Sequence, residues 1–100
     1  MIVIWLESAF VDLDDQIDYM ARDDPGAAID QRDLVESRVD TLAQFPKQGR
    51  IGREANTREL VVAGTPFVVV YRLKPRKGQV QILRILHGAQ QWPPNRTRSS

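Results

Sequence analysis

The stretch Thr57–Gly88, TRELVVAGTPFVVVYRLKPRKGQVQILRILHG, decides the fold. Its middle, Phe67 to Leu73, is nearly all β-branched or aromatic, which suits an extended chain packed on a pleated surface. Apolar residues fill both alternating faces, so this strand is expected at the centre of a sheet. Two turn sequences flank it, Ala63-Gly64-Thr65-Pro66 and the KPRKG run from Lys74 to Gly78. They set off further strands over Thr57 to Val62 and Gln79 to His87. Turns this short between successive strands predict an antiparallel meander.

Toward the N-terminus the pattern changes. Phe45 to Asn56 (FPKQGRIGREAN) reads as a loop, punctuated by Pro46, Gly49 and Gly52. Before it, Asp24 followed by Pro25 is a helix start, with Ala28, Arg32, Val35, Val39 and Leu42 on one face and Leu34 and Ala43 beside it. An earlier helix is expected from an N-cap at Ser8 to about Asp23. Leu6, Phe10, Leu13, Ile17 and Met20 form its apolar stripe, and Asp12, Asp15 and Asp18 its solvent face. Few residues separate the two helices, so they should form an antiparallel hairpin. Ile2 to Leu6 reads as a buried strand. The predicted order is β-α-α-β-β-β, an α+β fold with a helical hairpin on a small antiparallel sheet. Residues 1–94 form one domain, and Asn95 to Ser100 is expected to be a disordered basic tail.

With 100 residues, 42% hydrophobic and 27% charged, the chain has the make-up of a single globular domain. It has no cysteine, which excludes disulfide scaffolds, thiolate metal sites and thiol nucleophiles and fits a cytoplasmic location. No apolar run approaches the ~20 residues of a membrane span. The net charge of +1 conceals a division. Residues 1–45 hold three basic and eleven acidic side chains, a balance of −8; residues 46–100 hold eleven and two, a balance of +9. Either the second half meets a polyanionic or acidic partner, or the two halves neutralise each other within the fold.

Few residues could carry chemistry. His87 is the single histidine, at the end of the last strand, where it is either structural or a catalytic group titrating near neutrality. One histidine without cysteine makes no metal site, and neither a phosphate-binding loop nor a nucleophile elbow occurs. No cofactor is expected. The arginines remain: Arg58, Arg72 and Arg84 sit in predicted strands, where they can grip phosphate or carboxylate. A salt bridge to a helix aspartate is the competing role. By alternation Arg72 shares a face with Val68 and Val70, and Arg84 with Ile82 and Leu86, while His87 points the other way.

The order and spacing of the pieces resemble a known family. Val3-Ile4-Trp5, Asp12-Leu13 and Ile17 to Ala21 resemble the opening of the RelE/ParE toxin superfamily. Pro46 with Gly49-Arg50, Thr57 to Val62, Thr65 to Arg72 and Ile82 to Ala89 resemble its ParE-type branch, so that about residues 1–93 are covered. The resemblance implies the toxin of a type II toxin–antitoxin module, neutralised by an antitoxin that folds a segment across the toxin's helices and sheet. ParE-like members poison DNA gyrase; RelE-like members cleave mRNA in the ribosomal A site. Alignment with the RelE-like branch puts Val68 and Gln90 where it carries cationic arginines. Stabilising a phosphorane needs such donors, and losing one typically costs about 100- to 1,000-fold in rate. The expectation is therefore a gyrase inhibitor without catalytic residues. Arg58, Arg72, Arg84, His87 and Trp92 are the expected contact residues for target or antitoxin. The alternatives are an mRNA endoribonuclease using His87 and Arg84, or a degenerate toxin that binds only its antitoxin.

Overall fold

Strand β1 (Ile2–Trp5) leads directly into helix α1 (Glu7–Ala21), and α2 (Pro25–Asp40) follows after three residues. A 3₁₀ turn over Thr41–Ala43 and a loop then carry the chain to β2 (Arg50–Ile51), β3 (Arg58–Val61), β4 (Phe67–Lys74) and β5 (Gln79–His87). The structure, a computed structural model, describes residues 1–88, 90, 92 and 93. The expected tail, Asn95 to Ser100, lies outside the described residues. No helix among them is long and apolar enough to cross a membrane.

The sheet order is β1-β5-β4-β3-β2, which puts β4 at the centre. Strands β3, β4 and β5 form the expected antiparallel meander. The sheet as a whole is mixed, because β1 pairs in parallel with the first half of β5, Ile2 opposite Gln79 and Trp5 opposite Ile82. The loop also contributes a two-residue strand, β2, against β3. Two residues are too short to show a period in sequence. The β4–β5 turn is a 3₁₀ turn over Pro75–Lys77, and Gly78 closes it at φ +64°, a left-handed conformation that suits glycine.

Helix α2 starts as its sequence predicts. The Asp24 carboxylate accepts the Ala27 amide at 3.1 Å, with Pro25 in the first turn. Ala28, Val35, Val39 and Leu42 are buried, Leu34 is exposed, and Arg32 pairs with Asp14 of α1. Helix α1 departs from expectation. Its buried stripe is Ala9, Leu13 and Ile17, while Phe10 is 54% exposed and rests edge-on against Trp5. Ser8 is not the N-cap: Leu6 holds that position and Ser8 is already inside the helix. Asp12 is not on the solvent face, because it turns toward β5.

These two departures share one cause. Beyond Trp5 the chain leaves the sheet, so β5 loses its parallel neighbour after Ile82 and exposes an unpaired edge. Three α1 side chains one turn apart satisfy that edge. The Ser8 hydroxyl donates to the Leu83 carbonyl at 2.6 Å, and the Asp12 carboxylate accepts the Ile85 amide at 3.0 Å. Gln16 donates to the Ile85 carbonyl at 2.7 Å. A polar stripe thus docks the helix where an apolar one would leave backbone groups unsatisfied.

The main core lies between the helix pair and the sheet, around Leu13, Ile17, Val39, Phe67, Val69 and Ile85. A smaller apolar cluster of Val68, Val70 and Leu86, with Leu83 and Trp92, lies on the opposite, outer face. The β4–β5 register shifts between Val70 and Tyr71, which face Arg84 and Ile82 and leave Leu83 as an extra residue. The bulge corrects one expectation: Arg84 shares its face with Leu86 but not with Ile82, which joins the main core. Arg72 shares the outer face with Val68 and Val70, as alternation predicts.

Candidate functional site

The outer sheet face is assembled from three strands and the loop that covers its far edge. A buried carboxylate anchors that loop. Glu59 of β3 is only 1% exposed, and it meets the Arg50 guanidinium at 2.9 Å and that of Arg53 at 3.1 Å. The Arg53 amide donates to it at 2.9 Å. Burial alone would push this carboxyl up, but the Arg53 and Arg50 hydrogen bonds hold it down at about 2. On the helix side, the Gly49 amide donates to the Tyr71 hydroxyl at 2.9 Å, and that hydroxyl donates to the Pro46 carbonyl at 2.7 Å. Burial raises the Tyr71 pKa, opposed by the Gly49 amide and by Arg58. A Cβ at Gly49 would sit 2.7 Å from the Tyr71 hydroxyl, so only glycine allows this approach.

Arg84 is held twice. Its Nε donates to Asp12 Oδ2 at 2.6 Å and its Nη2 to Oδ1 at 3.2 Å, a bidentate pair that raises its pKa against the effect of burial. The same guanidinium lies 5.5 Å from the centre of the Trp92 ring. Trp92 in turn forms one wall of a groove of about 920 Å³ that runs along the end of the β4–β5 hairpin. Leu73 and Leu83 add apolar surface, and Arg72, Lys74, Arg76 and Lys77 supply the charge. Arg72 is steadied by donating its Nε to Gln81 at 2.8 Å.

The five expected contact residues therefore divide. Arg72 and Trp92 line one groove, with Arg84 behind Trp92. Arg58 borders a smaller hollow beside Arg72 and donates to the carbonyls of Lys47 and Gly49. His87 is on the other side of the sheet, in a cleft of about 410 Å³ with Tyr19, Met20, Phe67 and the carboxylates of Asp15 and Asp23. His87 and Arg84 are not brought together. Sequence reasoning missed Lys74, Arg76 and Lys77, which it treated as turn residues. Three cations in the five-residue KPRKG turn were the available signal. Among the described residues, no group of three or more His, Cys, Asp or Glu side chains could hold a metal ion.

Comparison with known proteins gives a consistent result. The family model described as the ParE toxin of type II toxin–antitoxin system, parDE, matches residues 3–92. Y4kP of Sinorhizobium fredii is 40% identical over 89 residues, 89% of this chain and 90% of that one. Toxin RelE2 of Caulobacter vibrioides is 37% identical over 87 residues, 87% of this chain and 94% of that one. A solved structure titled as the chromosomal ParDE TA system from P. aeruginosa superposes with a TM-score of 0.80 at 29% identity. That match covers 87% of this chain and 95% of that one.

Proposed function

The chain belongs to the ParE toxin family of type II toxin–antitoxin systems, which implies an antitoxin partner, and from that premise we propose that it is a binding inhibitor of DNA gyrase. The observation that carries this reading is the state of the outer sheet face. Val68 is buried in an apolar cluster, Arg84 is committed to Asp12, and His87 faces the other side. Cleaving RNA requires a base, an acid and cationic donors converging on one phosphate. An inhibitor needs only a contact surface. Arg72 and Trp92 carry that contact, with Arg58 at its border and Arg84 supporting the Trp92 ring. His87, on the helix side, is left for the antitoxin. The protein acts in the bacterial cytoplasm, where gyrase is.

The test is induction of the toxin in growing cells. Replication should arrest and a DNA-damage response should begin while bulk translation initially continues. Purified toxin should inhibit supercoiling of relaxed plasmid by gyrase, and the antitoxin should restore it. Primer extension on cellular mRNA gives the opposing outcome. Codon-specific cuts that vanish in His87→Ala or Arg84→Ala would overturn this reading in favour of a ribonuclease.

A further inference from the structure

The groove at the end of the β4–β5 hairpin is set apart because it gathers several cations without a carboxylate partner on one lining. Elsewhere, Arg32, Arg50, Arg53 and Arg84 are in ion pairs, Arg58 donates to backbone carbonyls, Arg38 donates to Gln48, and Arg22 lies over the Tyr19 ring. Among the described residues, Arg72, Lys74, Arg76 and Lys77 meet no carboxylate within ion-pair distance, and Arg72 donates only to the neutral Gln81. Four like charges within residues 72–77 repel one another, and the hairpin holds them together regardless. Among the described residues, Glu54 is the one acidic residue on the groove lining.

We propose that this groove binds single-stranded DNA. Consecutive phosphates would meet Arg72, Lys74, Arg76 and Lys77, and a base would lie against the apolar wall of Trp92 and Leu83. Spaced cations beside an aromatic surface match the two repeating parts of a nucleic-acid strand. A concave groove suits a single strand, whose bases are free to turn in, better than a duplex, whose bases are stacked inside. An acidic peptide would satisfy the cations but offers no repeating planar group. The choice of DNA over RNA rests on the gyrase reading above, whereas the groove itself does not.

The measurement is fluorescence anisotropy of the purified full-length toxin with a labelled oligo-dT of about 12 nucleotides, over a salt series. Four phosphate contacts predict a slope of log K against log salt of about −3, at ~0.7 per contact for a single strand. Lys74→Gln, Arg76→Gln and Lys77→Gln combined should bring that slope to about −1 and weaken binding by about tenfold or more. Trp92→Leu should weaken binding by about fivefold or more with the slope retained. Circular dichroism checks that both variants remain folded. A slope near zero, or one unchanged in the triple variant, overturns the proposal. So does displacement by polyglutamate at equal charge, which would indicate an acidic peptide, or tighter binding of the matching RNA. The gyrase assay separates the two readings. Inhibition of gyrase without DNA binding overturns this proposal alone, and DNA binding without inhibition overturns the gyrase reading and retains the groove.

Discussion

Replacing Glu59 with glutamine removes a buried charge while nearly preserving volume. The wild-type carboxyl titrates at about 2 in the fold against 4.5 for the free group. Converted directly, that shift is worth ~3 kcal/mol of stability. The Arg50 and Arg53 side chains are 58% and 48% exposed, so solvent screens part of the attraction, and we expect ~2 kcal/mol. Because the folded pKa is depressed, this contribution is present above about pH 4.5 and is lost as pH falls toward 2. Urea unfolding of wild type and Glu59→Gln, followed across this range, reads it out. With a slope of ~1 kcal/mol per molar, the midpoints should differ by about 2 M at pH 7 and converge near pH 2. A difference that stays constant with pH would refute the reasoning, because it would then come from packing or the amide group and not from charge.

Tyr71→Phe should cost ~1–3 kcal/mol, since the buried Gly49 amide loses its acceptor; thermal unfolding measures this, and a change under about 0.5 kcal/mol would count against the bridge. Gly49→Ala should destabilise by a similar ~1–3 kcal/mol through overpacking against the same hydroxyl, and combining it with Tyr71→Phe should be less than additive in the same assay. Asp12→Ala should cost ~3 kcal/mol or more by leaving Arg84 unpaired and the Ile85 amide bare. Hydrogen exchange at Ile85 should accelerate in that variant, and unaltered protection would contradict the docking described for α1. Asp24→Ala should lower stability by ~1 kcal/mol through loss of the α2 cap, as chemical denaturation would show; no loss would mean that the Ala27 amide is served by water.

Local chemistry was legible in sequence, and long-range pairing was not. The span Gln79–His87, the centrality of β4 and the Asp24-Pro25 start of α2 are all recorded in adjacent residues. Asp12 and Ser8 were misplaced because their partners, Arg84 and Leu83, are 72 and 75 residues away. A helix facing a bare strand edge uses a polar stripe, and in sequence that stripe resembles a solvent face. The parallel pairing of β1 with β5 has no turn between its strands to announce it. The Leu83 bulge breaks the alternation on which the face of Ile82 was assigned. For the candidate site, Arg72 and Trp92 were identified individually, but the groove also depends on a 3₁₀ turn whose cations looked like ordinary turn residues.

The docking of α1 onto the edge of β5 also sets the timing of folding. Synthesis delivers β1 and α1 before the rest of this fold and β5 after it, 69 to 75 residues behind the side chains that will cover it. At ~5–20 residues per second, that interval lasts about 4 to 15 seconds. During it, β1 has no strand to pair with and the Ser8, Asp12 and Gln16 stripe has nothing to grip. A chain ended prematurely, before Gln79, lacks the strand that joins its first elements to the sheet. Messages broken ahead of the β5 codons should therefore yield fragments that never close into this fold, so that only a message read through His87 produces the folded domain.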